Sequence, residues 1–316
     1  MDLQIRGISK TYPNGVHALR DVSLTIPVGM FGLLGPNGAG KSTLMRILAT
    51  LQDADAGTAR LGGGNSGPAP AGAAIDVLRE PERVRQTLGY LPQEFGLYPH
   101  VCAEELLDHF ALLKGITGRG ARRDAVEALL RQVNLWDVRR QKLGGYSGGM
   151  KQRFGVAVAL LGGPKLMIVD EPTAGLDPAE RVRFLNLLSE LGEHSVVILS
   201  THIVEDVTEL CTRFAIIDRG RILLESEPAR AVADLRGRLW RRVVSRSEFE
   251  TLERDAAVIS TKLFAGRTVV HVYGDESPGE GFEPAEPDLE DVYFAAMAGH
   301  TGARVAEQAP QQAGAA

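Results

Sequence analysis

Residues Gly35-Pro36-Asn37-Gly38-Ala39-Gly40-Lys41-Ser42 have the types and spacing needed to hold a phosphate. Glycines let backbone N–H groups turn inward around an anion with no Cβ in the way. A helix starting near Lys41 would aim its positive end at the same anion. Lys41 adds a mobile charge for β- and γ-phosphates, Ser42 a hydroxyl for Mg²⁺, and Thr43 a donor to a phosphate oxygen. Gly35-x4-Gly40-Lys41-Ser42 is a full Walker A motif, set between a predicted strand, Met30 to Leu34, and a predicted helix, Ser42 to Ala49. A second acidic element has the matching form. The apolar run Leu166-Met167-Ile168-Val169 leads into Asp170-Glu171. Asp170 would hold Mg²⁺, and Glu171 would position and deprotonate an attacking water, help that is typically worth about 10²–10⁴-fold in rate. The chemistry these residues suit is transfer of a nucleotide's terminal phosphoryl group to water.

The order of the other motifs resembles that of ATP-binding subunits of ABC transporters, over about residues 3–226. Gly35–Ser42, Gln93, Tyr146-Ser147-Gly148-Gly149-Met150, Leu166–Glu171, Gly175-Leu176-Asp177 and His202 follow one another as in that family. Its most specific part is Ser147-Gly148-Gly149 shortly before Asp170-Glu171. The resemblance implies a P-loop α/β ATPase domain that pairs head to tail with a second copy. ATP would lie between the P-loop of one copy and the signature Ser147, Gly148 and Gly149 of the other. It also implies that Gln93 touches Mg²⁺ or water and senses a membrane partner. By the same likeness Asp177 communicates across the dimer, His202 contacts the γ-phosphate, and Tyr12 stacks on adenine. The signature departs from the family at both ends, with Tyr146 for Leu and Met150 for Gln, while its Ser-Gly-Gly core is intact.

The elements that must carry these residues follow from periodicity. Predicted strands run Leu3 to Ile8, Val16 to Ile26, Thr58 to Leu61, Ile75 to Leu78, Leu88 to Leu91, Leu166 to Asp170 and Ser195 to Ser200. Two helical runs, Ala103 to Lys114 and Arg119 to Val133, have no strand between them and predict a helical subdomain over about 95–162. Phe95, Leu97, Tyr98 and Val101 fall in a segment that reads as loop. The resemblance implies that this region receives a coupling helix of a membrane subunit, so these residues either form an exposed docking patch or pack inside the insertion. The alternation of strand and helix predicts an α/β sheet with helices on its faces over residues 1–228. Residues 229–300 read as a small α+β extension, and Asp288–Tyr293 resembles the extension of ABC-2-type exporter ATPases, including drug-efflux systems. Residues 62–74 read as a flexible surface loop and 301–316 as a disordered tail.

Composition bounds the alternatives. The chain has 316 residues with a formal net charge of −5, 44% hydrophobic and 24% charged residues. That excludes wholesale disorder and general polyanion binding, so no nucleic-acid partner is expected. No stretch approaches the roughly 18 apolar residues of a membrane span. The N-terminus lacks a signal-peptide pattern, and Cys102 and Cys211 offer neither a disulfide framework nor metal-ligand spacing. Within these bounds the resemblance implies a cytoplasmic ATPase, peripheral at the membrane through a polytopic permease subunit, that powers export. A soluble non-transport ABC ATPase is the alternative; such proteins usually carry tandem cassettes or a long coiled coil, and this chain has one copy of each motif. A P-loop kinase would leave the signature and His202 without a role.

Overall fold

The computed structural model describes residues 1–62, 74–93, 96, 98–173, 176–245, 248, 249, 252 and 257–300. Most of the predicted 62–74 loop, Phe95, Leu97, Gly175 and the predicted tail lie outside the described residues.

The first part of the chain forms β1 (Asp2–Thr11), β2 (His17–Pro27), β3 (Gly29–Leu34), α1 (Lys41–Leu48), β4 (Ala56–Leu61) and β5 (Ile75–Asp76). Next come α2 (Pro81–Thr87), β6 (Leu88–Leu91), α3 (Ala103–Leu113), α4 (Arg119–Gln132), α5 (Gly148–Leu160) and β7 (Leu166–Asp170). Then follow α6 (Pro178–Leu191), β8 (Val196–Thr201), α7 (Val204–Leu210), β9 (Arg213–Asp218) and β10 (Arg221–Ser226). The last part holds α8 (Pro228–Leu235), β11 (Leu239–Val244), β12 (Val258–Phe264), β13 (Arg267–Tyr273), β14 (Glu283–Pro284) and α9 (Leu289–Met297).

The central sheet has the order β10-β9-β3-β8-β7-β6. Its strands β9, β3, β8, β7 and β6 are parallel, and β10 closes one edge as an antiparallel hairpin. Parallel register fixes the site. Leu34 lies opposite Thr201, and Asp170 opposite Ser200. The residues that follow these strands, Gly35, Glu171 and His202, therefore emerge at the same edge, where open α/β sheets bind ligands.

Strand periodicity divides the core in two. From β7, Leu166 and Ile168 face a cluster with α1 and the antiparallel sheet β2-β1-β4-β5, which contributes Leu3, Ile5 and Leu24. Met167 and Val169 face the opposite cluster with Leu107, Leu130 and Phe154 of α3, α4 and α5. A strand buried on both faces reads as a continuous apolar run, as β7 does. The third sheet, β12-β13-β11-β14, belongs to the C-terminal region. Its Leu239 and Ile259, with Leu289 and Val292 of α9, share the second core with Phe214 and Ile216 of β9.

Two short helices, α2 and α8, are additions to the sequence-based reading. Both start at a proline, Pro81 and Pro228. The predicted strand Ile75 to Leu78 is cut to Ile75–Asp76 because the Asp76 carboxylate accepts from Leu78 N and Arg79 N, both at 3.2 Å, and turns the chain.

Candidate active site

The phosphate loop joins β3 to α1. Gly40 caps α1 with φ 109°, a left-handed conformation that favours glycine, and a Cβ there would sit 2.5 Å from Ala18 O. The loop is clamped from below. Gly220 N, in the turn between β9 and β10, donates to Ala39 O at 2.8 Å, and Arg20 N donates to Gly220 O at 2.8 Å. Lys41 is buried; its Nζ donates to Gly35 O at 2.6 Å and Pro36 O at 3.2 Å. Burial pushes its pKa down, and the carboxylates of Glu171 and Asp170 partly counter that.

Glu171 is the hub of the site. Its backbone φ is 47°, in the left-handed region, at a cost of about 1–3 kcal/mol for a non-glycine residue. Its N–H donates to Ser200 O at 2.8 Å, which ties the end of β7 to the end of β8. Gln93 Nε2 donates to Glu171 Oε2 at 3.1 Å. His202 Nδ1 lies 3.3 Å and Lys41 Nζ 3.8 Å from Glu171 Oε1. A carboxylate held by these neighbours at the rim of a phosphate cleft can orient a water and take its proton.

Asp170 is buried behind it, and burial pushes its carboxyl pKa up against the nearby Ser200 hydroxyl. Its Oδ1 is buried with no hydrogen-bond partner, as is Ser200 Oγ. Unpartnered oxygen close to Ser42, with Gln93 bonded to the adjoining Glu171, suits a hard divalent cation, so the residues present fit Mg²⁺. A raised carboxyl pKa means that the penalty for the charged form grows as pH climbs above the unfolded value and is present at neutral pH. Asp170→Asn is therefore expected to raise the melting temperature of the nucleotide-free protein at neutral pH while abolishing Mg²⁺-dependent hydrolysis. Scanning fluorimetry and phosphate release read the two effects separately.

A cleft of about 650 Å³ is lined by Tyr12, Pro36–Thr43, Gln93 and Glu171. The Tyr12 hydroxyl lies 3.1 Å from Thr43 Oγ1 and donates to Gln52 Oε1 at 3.2 Å, which anchors the ring at the cleft wall. The Thr43 hydrogen bond is the main reason the phenol pKa falls below its ordinary value. Val16, His17, Ala18, Arg20 and Arg219 complete the lining. The sequence reading missed these five, and His17 matches no motif in it. Arg219 is presented by a tight turn at φ 46°, a placement that only the folded hairpin reveals. A larger hollow of about 1010 Å³ beside α3 and α4 holds none of the predicted site residues. Charges there pair with one another, Arg122 with Asp108 at 2.8 Å and Arg140 with Glu104 at 3.5 Å.

The signature segment lies apart from this cleft. Ser147 N-caps α5, its Oγ accepting from Met150 N at 3.2 Å. Asp177 N-caps α6, its Oδ1 accepting from Glu180 N at 2.8 Å. The two helix starts touch, because Glu180 packs on Gly149 so closely that a Cβ on Gly149 would collide with its carboxylate. Ser147, Gly148, Gly149 and Asp177 are not among the residues lining the P-loop cleft. The unusual Tyr146 is buried, and its hydroxyl donates to Val138 O at 3.0 Å, which anchors the segment before α5. Met150 packs against the second core.

Residues 19–174 match the family model described as ABC transporter. The linearmycin resistance ATP-binding protein LnrL of Bacillus subtilis is 36% identical over 223 residues, which are 70% of this chain and 68% of that protein. The chain belongs to the ABC transporter ATP-binding proteins. The daunorubicin/doxorubicin resistance ATP-binding protein DrrA of Streptomyces peucetius is also 36% identical, over 71% of this chain and 64% of its own. Among solved structures, the dimeric post-hydrolysis state of the ATP-binding cassette MJ0796 bound to ADP and Pi superposes with a TM-score of 0.62 at 26% identity. It covers 71% of this chain and 98% of that one. This ABC transporter subunit thus binds ATP and is an ATPase with the expected α/β P-loop fold. Among the described residues no helix is long and apolar enough to cross a membrane.

Proposed function

We propose that this ATPase subunit works as a head-to-tail homodimer that powers export through a separate polytopic membrane subunit. The observation that carries the reading is a site split in two. Tyr12, Gly35–Thr43, Gln93, Asp170, Glu171 and His202 gather at one sheet edge, while Ser147, Gly148 and Gly149 sit at the start of α5 and do not line that cleft. A helix N-terminus with a serine hydroxyl and two glycines suits a γ-phosphate presented by another molecule. ATP would then join two half-sites, with Asp177 beside the junction.

Within the cleft, Lys41 and the loop N–H groups bind the phosphates, and Tyr12 supports the base. Glu171 orients the attacking water and accepts its proton, and His202 and Gln93 hold that carboxylate in place. Ser42, Gln93 and Asp170 would hold Mg²⁺, which when bound neutralises charge on the β- and γ-phosphate oxygens.

Attachment to a membrane subunit is supported by an apolar groove of about 350 Å³ between the central sheet and the helices after it. Leu51, Leu88, Phe110, Leu113 and Leu161 line it, and Leu51 and Leu113 are 63% and 69% exposed. Exposed leucines around a groove suit a partner helix. Tyr98 of the patch predicted from sequence is also exposed, whereas Val101 packs against the core. The resistance proteins named above support export as the direction. In this reading the chain sits at the cytoplasmic face of the membrane, held there by the permease. The motif-bearing residues 1–228 form the ATPase unit, with a helical subdomain over about 95–162, and residues 229–300 are an accessory unit.

The test is purification of the tagged chain from its own membranes. A polytopic subunit is expected to co-purify, and Leu113→Asp is expected to lower its recovery by about tenfold or more without changing ATP hydrolysis by the isolated chain. Recovery of the chain from membranes with no polytopic subunit would favour a soluble ABC ATPase instead.

A further inference from the structure

Asp206, on α7, is fully buried, carries a carboxylate and belongs to none of the motifs used above. Its Oδ2 accepts from Thr173 Oγ1 at 2.6 Å and from Thr201 Oγ1 at 3.3 Å. Its Oδ1 accepts from Arg181 Nε at 2.9 Å and Nη2 at 2.6 Å. Each donor sits beside a residue of the site. Thr173 follows Glu171 by two positions, Thr201 directly precedes His202, and Arg181 lies four residues after Asp177, one turn into α6.

A buried ion pair is a poor way to gain stability. Removing two charges from water costs about as much as their attraction returns, and apolar packing of equal volume often does as well. What such a group offers is geometry: one acceptor with donors from three segments leaves little freedom in their relative positions. The surrounding details fit that use. Thr201 Oγ1 also accepts from Ile203 N at 2.9 Å, so a single hydroxyl braces the chain on both sides of His202. Glu171 holds a left-handed backbone conformation that neighbouring structure must enforce. The next residues after it lead straight to Thr173.

We propose that Asp206 is a positioning residue, whose buried carboxylate fixes the strand ends bearing Glu171 and His202 and the helix capped by Asp177 in one relation. This rests on the assignment of Glu171 and His202 to the hydrolytic site. The side chain touches no substrate; it acts through the segments it holds.

Thr173→Val tests this with the least disturbance, because it keeps the shape and removes only the donor, leaving the Arg181–Asp206 pair intact. In the full-length chain, kcat for ATP is expected to fall by about ten- to hundredfold, the loss that a roughly 1 Å misplacement of a reacting group produces. The Kd for ATP, measured with Mg²⁺ omitted, is expected to stay within about twofold, and the melting temperature within about 4 °C. Thr173→Ser, which restores the hydroxyl, is expected to recover most of the rate. A Thr173→Val protein with wild-type kcat overturns the proposal. So does one that loses rate, nucleotide affinity and melting temperature together, because that is a folding role alone. Glu171→Gln keeps the two ideas apart: normal hydrolysis by that variant would remove the site assignment itself, whereas a dead Glu171→Gln beside a normal Thr173→Val would remove only the role of Asp206.

Discussion

Glu171→Gln is expected to hold ATP without hydrolysing it and to run as a dimer on size-exclusion chromatography with saturating ATP and Mg²⁺. The amide keeps the size of the carboxylate and can still meet Gln93 and His202, at 3.1 Å and 3.3 Å in the native site. It cannot take a proton. Loss of a general base is typically worth about 10²–10⁴-fold, so phosphate release should fall by at least that order. Removing a negative charge 3.8 Å from Lys41 also leaves the ammonium freer to engage phosphate, so binding is expected to be kept or tightened. A variant that stays monomeric with ATP bound would show that the two half-sites do not meet across a dimer. A variant that turns over at the native rate would place the base elsewhere.

Lys41→Ala is expected to abolish hydrolysis and weaken nucleotide binding by about ten- to hundredfold. The estimate follows from one charge-assisted hydrogen bond, about 1.5–3 kcal/mol, at 1.4 kcal/mol per factor of ten. The ammonium is buried and bonded to the carbonyls of its own loop, and burial already disfavours its charge. A triphosphate adds to the counter-charge that Glu171 and Asp170 already offer, so Lys41 should reward the nucleotide more than an exposed lysine would. Isothermal titration with ATP reads this directly. Native affinity in the variant would mean that loop N–H groups alone carry the phosphate.

Much of this was legible in the residues. Gly35–Ser42 and Leu166–Glu171 declare both a chemistry and a local fold, since each motif needs a strand before it and, for the loop, a helix after it. The two apolar runs before Lys114 and Val133 gave the helices of the insertion because their period extends over three or more turns. Single side chains that rely on neighbours distant in the chain were not legible. Arg219 and His17 reach the nucleotide cleft only once β9–β10 closes on the loop and β2 lies beside it, and Gln52 reaches its wall only through Tyr12, forty residues earlier. Asp206 reads as an ordinary acid in the first turn of a short helix, and nothing in its local pattern announces three donors from other segments. The conversion of Val77 and Leu78 into a turn depended on one aspartate bonding its own backbone, a competition that strand periodicity does not register.

The hairpin turn at Gly220 has a consequence for how the chain can be divided. The same two strands whose bend props up Ala39 are in contact, on their other side, with α9 of the last lobe. Phe214 and Ile216 there are fully covered and belong to the same core as Leu289 and Val292 of α9. Trimming the polypeptide after Pro228 would strip a greasy face of the sheet bare, on the side opposite the nucleotide cradle. The remainder would be a wounded cassette rather than a minimal one, and its grip on ATP would report the injury.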